Sequence, residues 1–280
     1  MTGLMRGKRG LVMGVANDHS IAWGIARALA AEGAELAFTY QGEQFGRRVR
    51  PLAESVGSQI VLSCDVEDAA SVTAVFSALK SNWGSIDFLV HAIAFSDRAG
   101  LRGRFADTTR ENFVKTMVIS CFSFTEAARQ AAAVMPNGGS ILTLTYGGST
   151  RVMPNYNVMG VAKAALEASV RYLATDFGGD NIRVNAISAG PVRTLAGSGV
   201  SDARLMFNFQ RVNAPLRRTV SIEEIGKAGI YLLSDLSSGV TGEIHFVDSG
   251  YNVISMPRLD ELKAQEALNP PAAEPDDDAS

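Results

Sequence analysis

Tyr156 and Lys163 are the residues of this chain whose types and spacing best suit joint chemistry. They lie in a stretch, 155 to 177, whose alanines and leucines are typical of a helix. Seven steps of about 100° return to within roughly 20° of the start, so both side chains leave one helix face, about 10.5 Å apart along the axis. A phenol can donate a proton to a substrate oxygen, and an ammonium can favour the ionised phenol and bind a cofactor hydroxyl. The pair predicts one shared ligand; a half-buried tyrosine and a surface lysine that share a face by chance is the other interpretation.

A turn near the start of the chain is a second candidate site. The apolar run 9 to 15 predicts a buried strand, and a polar turn and a helical pattern follow it. The motif Gly-x-Gly-x-x-Gly does not occur there, but Gly14 is followed by the small residues Ser20, Ala22 and Gly24. Small residues permit close backbone approach, and the N–H groups at a helix start attract a pyrophosphate. The pattern alone is weak, because small residues are common where helices begin.

Two further strand ends carry residues suited to a nucleoside. The second predicted strand ends at Gln41, at a position where an acidic residue often binds the adenosine ribose. Gln41 can hydrogen-bond hydroxyl groups but offers no positive charge to a 2′-phosphate, so it favours NADH over NADPH. Asp65 and Val66 end the third strand and form a candidate adenine edge. For Asp65, the N-cap of the next helix is the alternative interpretation.

The order of the predicted elements indicates the fold. Apolar strand patterns alternate with helical patterns along the chain, and the predicted strands cover residues 9–15, 34–40, 59–64, 86–93, 139–146, 182–188 and 243–248. This alternation predicts a single α/β domain with a Rossmann-type, doubly wound parallel sheet of about seven strands and helices on both faces. Ligands of such sheets bind beyond the carboxyl ends of the strands, where Gly14, Gln41 and Asp65 lie.

The domain is predicted to cover residues 1 to 265. Within it, a helix is expected over about 110 to 134, and residues 195 to 211 are predicted to form a helical lid over the site. Residues 266 to 280 are acidic and proline-rich with no aromatic side chain, which predicts a disordered tail.

Composition narrows the classes of protein that this chain can belong to. With 46% hydrophobic and 20% charged residues and a net charge of −3, it resembles a globular protein and not a nucleic-acid binder. Cys64 and Cys121 have no metal-ligand spacing, so no metal is expected. No secretory signal pattern and no run of about 18 apolar residues occurs, so we expect a cytoplasmic protein without a membrane span.

Eight stretches of the sequence match a known pattern when they are taken together. They are residues 14–24, 64–66, 89–93, 144–146, 156–163, 182–195, 215–218 and 240–243, within a resemblance that covers roughly residues 6 to 258. In these stretches the chain resembles the bacterial enoyl-acyl-carrier-protein reductases of type II fatty-acid synthesis, a branch of the short-chain dehydrogenase/reductase superfamily. Most carbonyl reductases of that superfamily carry the tyrosine and lysine four residues apart, whereas the seven-residue spacing of Tyr156 and Lys163 resembles the enoyl branch.

The resemblance implies a site, an activity and partners. Tyr146, Tyr156 and Lys163 would be catalytic, with Lys163 on the nicotinamide ribose, and Ser96 and Tyr156 would contact substrate. NADH would give a hydride to the β-carbon of a trans-2-enoyl thioester on acyl carrier protein, and Tyr156 would stabilise the enolate. The protein would be a homotetramer. The dinucleotide would contact Gly14, Ser20, Ile21, Gln41, Asp65, Val66, Ile93, Lys163, Val192, Arg193, Thr194, Leu195 and Ala196.

Two other functions stay open on the sequence. One is reduction of a different enone or carbonyl substrate, because one fold serves many reactions. The other is a protein that binds NADH without catalysis. The spacing of Tyr156 and Lys163 argues against the first, and the presence of Tyr146 beside that pair argues against the second. For Tyr146, packing over the site without a chemical role is the alternative interpretation.

Overall fold

The computed structural model describes residues 3–192, residue 194 and residues 203–268. Seven strands form one sheet in the order β3-β2-β1-β4-β5-β6-β7, and every neighbouring pair is parallel. The strands are β1 (Arg9–Met13), β2 (Glu35–Tyr40), β3 (Ile60–Ser63), β4 (Phe88–His91), β5 (Gly139–Thr145), β6 (Ile182–Ala189) and β7 (Ile244–Val247). The strand order reverses between β1 and β4, so the predicted doubly wound Rossmann-type sheet is confirmed.

Helices connect these strands on both faces of the sheet. The α-helices of the described residues are α1 (Ile21–Ala31), α2 (Gly42–Ser55), α3 (Ala69–Trp83), α4 (Arg110–Met117), α5 (Ser123–Ala132), α6 (Asn157–Gly178), α7 (Ala203–Asn213), α8 (Ile222–Leu233) and α9 (Leu259–Leu268). Short 3₁₀ turns interrupt the loop that follows β4.

Two apolar layers cover the sheet, because successive strand residues point to opposite faces. In β1, Leu11 and Met13 pack in the layer that contains α3, α5 and α6. Val12, between them, packs in the opposite layer with α1, α2 and α8. The central strands are buried on both sides, which explains why their sequences are continuous apolar runs.

One predicted helix contains a π-helical turn. The helix predicted over about 110 to 134 is present over 110 to 132, and the turn, Val118–Phe122, lies within it between α4 and α5. The wider turn directs Ser120 toward the loop after β4, where its hydroxyl accepts from the Phe95 N–H at 2.9 Å and donates to the Phe95 carbonyl at 3.0 Å. Such turns replace regular helix where a side chain must point in a different direction.

The C-terminal boundary also differs from the prediction. Helix α9 ends at Leu268, three residues beyond the expected end of the domain at residue 265. Residues 269–280 and the start of the predicted lid, 195–202, lie outside the described residues. Over the described ranges, no helix combines the length and the apolar character that crossing a membrane requires.

Candidate active site

The predicted site residues gather along one edge of the sheet. Because all strands are parallel, the residues that follow their carboxyl ends meet at that edge. The residues placed there are Gly14 after β1, Gln41 after β2, Asp65 and Val66 after β3, Ile93 after β4, Tyr146 after β5, and Val192 and Thr194 after β6. Arg193, Leu195 and Ala196, which were also predicted to contact the dinucleotide, lie outside the described residues.

The turn between β1 and α1 is shaped for a close approach. Gly14 has a φ of +99°, and a Cβ atom there would lie 2.1 Å from the Ala92 carbonyl oxygen. The Ser20 hydroxyl accepts from the N–H groups of Ala16 and Asn17 at 3.0 and 3.1 Å, which closes the turn. Ser20 is the N-cap residue of α1, yet its side chain does not cap the helix. The start of α1 therefore keeps the anion-binding character that suits a pyrophosphate.

The end of β2 carries a compact polar cluster. The Arg50 guanidinium lies 4.8 Å from the centre of the Tyr40 ring and forms an ion pair with Glu43 at 2.8 Å. The Tyr40 hydroxyl accepts from Arg50 at 2.7 Å and donates to Glu43 at 3.1 Å. Hydrogen bonds from Arg50 and Tyr40 lower the pKa of Glu43 to about 2. Gln41 lies beside this cluster as the N-cap residue of α2, and Arg50 of the same helix is already paired with a carboxylate.

The structure excludes one of the two interpretations of Asp65. The N-cap residue of α3 is Asp68, whose carboxylate accepts from the Ala70 N–H at 2.9 Å. Asp65 instead accepts from the Glu67 N–H at 3.0 Å and stays half-buried at the strand end. The N-cap interpretation of Asp65 is therefore wrong, and its carboxylate lies where a nucleoside edge was predicted.

Tyr156 is held at the N-cap of α6 and not inside the helix. The helix begins at Asn157, and positive φ values of 56° at Asn155 and 37° at Asn157 turn the chain into it. The angle expected for seven regular helical steps therefore does not apply from Tyr156. The ring is fixed by packing, because it meets the Tyr146 ring edge-on with centres 5.3 Å apart and an angle of 70°. A Cβ atom on Gly148 would lie 2.5 Å from the Tyr156 ring, so that position has room only for glycine.

Lys163 is a buried lysine, which excludes the interpretation of a surface residue. It is 6% exposed, and its ammonium donates to the Leu144 carbonyl at 2.7 Å. Burial lowers the pKa of Lys163 to about 8. An ammonium has three N–H donors, so the Leu144 bond leaves donors available to a ligand.

Burial also determines the state of the Tyr156 phenol. Desolvation, and after it the charges that Tyr146 and Glu167 carry when ionised, raise the pKa of Tyr156 well above its ordinary value. The Lys163 charge, which was expected to favour the ionised phenol, therefore does not bring the pKa of Tyr156 below its ordinary value. Tyr156 is a neutral group at physiological pH and acts as a hydrogen-bond donor.

Ser96 takes part in a network within the loop after β4. Its hydroxyl donates to the Asn112 side-chain oxygen at 3.3 Å and accepts from the Thr116 hydroxyl at 2.9 Å. The same Asn112 oxygen accepts from the Asp97 N–H at 3.2 Å. The network holds the loop against α4, and a direct contact of Ser96 with substrate stays a prediction.

Gln210 is a residue of the site that the sequence analysis did not identify. From α7, the helix in the predicted lid, its amide nitrogen donates to the Tyr146 hydroxyl oxygen at 2.7 Å, and Gln210 is 5% exposed. A cavity of about 130 Å³ opens beside this pair, and Ser188, Asp248 and Tyr251 also line it. The contact joins residues 64 positions apart, so no local sequence pattern predicts it. It links the lid helix to the tyrosine that packs on Tyr156.

Fold and site together define a short-chain dehydrogenase/reductase, with a doubly wound parallel sheet, a glycine turn after β1, and a tyrosine and lysine on the helix after β5. The family model described as Enoyl-(Acyl carrier protein) reductase matches residues 14–252. The chain belongs to the enoyl-acyl-carrier-protein reductase family, which confirms the predicted family and reaction class.

Individual relatives agree with this assignment. The chain is 69% identical over 267 residues, 95% of this chain and 100% of the relative, to enoyl-[acyl-carrier-protein] reductase [NADH] 2 of Rhizobium meliloti. The crystal structure of FabI from Candidatus Liberibacter asiaticus is similar with a TM-score of 0.90 and 58% identity, and covers 92% of this chain and 100% of that one. The Anaplasma phagocytophilum reductase, solved in complex with NAD, has a TM-score of 0.89 and 56% identity, covering 92% of this chain and 99% of that chain.

Replacing Gln210 with leucine should loosen the lid helix. The substitution removes the hydrogen bond to Tyr146, worth about 1 kcal/mol, so backbone amides of α7 should exchange with solvent about fivefold faster while those of α6 keep their rate. Hydrogen exchange read by mass spectrometry measures this. Asn208→Ala is the matched control, because Asn208 is exposed on the same helix and accepts only from Arg211. Equal amide exchange rates of α7 in Gln210→Leu and in the control would contradict the conclusion that the Gln210–Tyr146 hydrogen bond holds the lid helix.

Proposed function

We propose that this protein reduces the double bond of trans-2-enoyl thioesters carried on acyl carrier protein, with NADH as the hydride donor. The observation that carries the proposal is the arrangement of Tyr146, which follows β5, with Tyr156 and Lys163, which lie at the start of α6 and within it. Tyr156 is a neutral phenol packed edge-on against Tyr146, and the buried Lys163 ammonium follows seven residues later. Membership of the enoyl reductase family supports the same chemistry.

Tyr156 serves the substrate oxygen. When the β-carbon of an enoyl thioester gains a hydride, negative charge develops on the thioester oxygen, which lies beyond the carbon that is reduced. The neutral Tyr156 phenol donates a hydrogen bond to that oxygen, and its buried surroundings strengthen the bond. The α-carbon is then protonated, and the enolate becomes the saturated thioester.

The residues proposed to bind the dinucleotide lie along the edge of the sheet where the strands end. The turn at Gly14 and the start of α1 suit the pyrophosphate, and Gln41 and Asp65 suit the adenosine end. Lys163 binds the nicotinamide ribose hydroxyls with the donors that Leu144 does not use. Bound NADH supplies the hydride that the reaction consumes.

Charge at the end of β2 supports NADH over NADPH. A 2′-phosphate beside Gln41 would meet the Glu43 carboxylate, and Arg50 on the same helix is held by Glu43 and Tyr40. Placing a phosphate there would bring two like charges together or break an existing ion pair.

The proposal extends to assembly and compartment. We infer a homotetramer, supported by large apolar side chains that stay exposed on α4 and α6 in the single chain, among them Val114 at 53% and Tyr172 at 76%. A cytoplasmic location agrees with the substrate, since acyl carrier thioesters are water-borne intermediates of fatty-acid synthesis.

Comparison of two substrates tests the proposed reaction. Purified protein should oxidise NADH rapidly with a trans-2-enoyl thioester and leave a 3-ketoacyl thioester of the same length essentially unreduced. The loss of NADH absorbance measures both rates. The physical reason is the position of Tyr156, which serves an oxygen remote from the reduced carbon. Efficient reduction of the ketoacyl substrate would contradict the assignment.

Substitution of Glu43 should change cofactor choice. The wild type should show at least about tenfold higher kcat/KM with NADH than with NADPH, and Glu43→Gln should narrow that ratio because it removes the like charge and releases Arg50. Glu54→Gln is the matched control, since Glu54 is exposed on the same helix and the charge change is identical. A wild type that prefers NADPH, or a ratio that Glu43→Gln does not move, would contradict this account.

A further inference from the structure

A buried carboxylate lies one helical turn after Lys163, and the proposed mechanism does not use it. Glu167 is 6% exposed, about as fully buried as Lys163 itself. Its side chain accepts a hydrogen bond from the Thr145 hydroxyl at 2.7 Å. Glutamate is seldom buried unless its charge serves a partner, so the position calls for a physical reason.

Glu167 and Lys163 connect α6 to the same two residues of β5. The Lys163 ammonium donates to the Leu144 carbonyl, and the adjacent residue, Thr145, donates to Glu167. Residues four apart share one helix face, so the two charged side chains point toward the strand together. The next residue of the chain is Tyr146, which packs on Tyr156. These two hydrogen bonds therefore fix the end of β5, which leads into Tyr146, against α6, which begins after Tyr156.

Among the described side chains that act on the pKa of Lys163, Glu167 is the one carboxyl group. On β4, His91 is fully buried, and burial together with the Lys163 charge lowers its pKa to about 3, so it is neutral. On the π-turn, burial raises the pKa of the Cys121 thiol above its ordinary value, so it too is neutral near pH 8. Tyr156 is neutral for the same reason.

The pKa of Lys163 depends on burial and on the charges of these neighbours. Burial lowers the pKa of Lys163 to about 8, while Cys121, if ionised, and Glu167 act in the opposite direction. Since the thiol is protonated in this range, we assign the opposing effect to the Glu167 carboxylate. Without it the ammonium would lose its proton closer to neutral pH.

We propose that Glu167 is a positioning residue whose negative charge keeps Lys163 in its ammonium form inside the site, ready for the cofactor ribose. The inference rests on the proposed function in one respect, namely that Lys163 binds the nicotinamide ribose. The role is electrostatic and indirect, since Glu167 reaches the reaction through Lys163 and through the Thr145 strand end.

The sign of the pH dependence follows from this role. Lys163 binds the ribose as an ammonium below its pKa, and NADH affinity falls as the pH rises through about 8. Removal of the Glu167 charge destabilises the ammonium, so the same loss must begin at lower pH. A change of about one pH unit corresponds to NADH binding about fivefold weaker at pH 8, with little difference well below that pH.

Three variants separate charge from hydrogen bonding. Glu167→Gln keeps the size and an oxygen that accepts from Thr145 but has no charge. Glu167→Asp keeps the charge with a shorter reach. Cys121→Ala is the control, because it removes the other group that would raise the pKa of Lys163 if it were ionised, a thiol that is neutral in this range. NADH dissociation constants are measured by fluorescence across this pH range, with thermal unfolding as the check on folding.

The expected result is a lower midpoint for Glu167→Gln and a midpoint near that of wild type for Glu167→Asp and Cys121→Ala. A Glu167→Gln protein that unfolds at a lower temperature but keeps the wild-type midpoint would show that Glu167 is only structural, and would overturn the inference. So would a Cys121→Ala midpoint shifted as far as that of Glu167→Gln.

A second measurement makes the inference independent of NADH. The chain has six lysines, so labelling lysine side chains with ¹³C at Cε gives few signals, and Lys163→Met identifies the one of interest. The titration midpoint of that signal should be lower in Glu167→Gln than in wild type. If wild type fails to bind NADH at any pH, the proposed function fails, and the lysine signal still decides whether Glu167 controls the Lys163 charge: an unchanged midpoint overturns the inference.

Discussion

The burial of the Lys163 ammonium is the constraint on which the rest of the site depends. A lysine that is 6% exposed must find a hydrogen-bond acceptor and a compensating charge inside the protein. The end of β5 provides the first through the Leu144 carbonyl, and α6 provides the second through Glu167. Satisfying the lysine therefore fixes how α6 lies on β5. The two site tyrosines then follow, because Tyr146 continues the strand and Tyr156 begins the helix.

The remainder of the site uses the general geometry of a parallel sheet. Strand ends collect at one edge, and the order β3-β2-β1-β4-β5-β6-β7 opens a crevice between β1 and β4. Gly14 lies at that crevice, where a Cβ atom would clash with the Ala92 carbonyl oxygen, and the start of α1 follows it. At the end of β2, the Glu43–Arg50 ion pair makes the edge unfavourable for the 2′-phosphate of NADPH. In the proposed function, the groups that bind the dinucleotide and the phenol that serves the substrate lie along this one edge.

Much of the fold could be predicted because it depends on the residue pattern of short segments. The alternation of apolar strands and amphipathic helices is a property of short segments, so the sheet and most helix bounds follow from sequence. Tyr156 and Lys163 were found because helical spacing relates nearby residues. The N-cap placement of Tyr156 was missed, although the asparagines on either side of it, which tolerate positive φ better than most residues, were an available signal. The π-turn was missed because the helical pattern of residues 110 to 134 continues through it.

The remaining differences come from contacts between distant segments. Gln210 meets Tyr146 across 64 residues, and Glu167 meets Thr145 across 22, so neither role can be deduced from spacing. Burial had the largest effect on the chemistry. From sequence, Lys163 was expected to favour the ionised phenol, whereas burial raises the pKa of Tyr156 and brings Lys163 close to its titration range.

The kinetics of Tyr156→Phe test the central claim, that a neutral phenol at the start of α6 stabilises the enolate oxygen, most directly. The substitution keeps the ring that packs on Tyr146 and removes only the hydroxyl. Loss of one such donor typically lowers kcat by about 10²- to 10³-fold, and NADH binding should stay nearly unchanged because the bond forms mainly as the enolate develops. Stopped-flow reduction of a trans-2-enoyl thioester, with the NADH dissociation constant measured on the same protein, gives both quantities. Wild-type turnover by Tyr156→Phe would contradict the account.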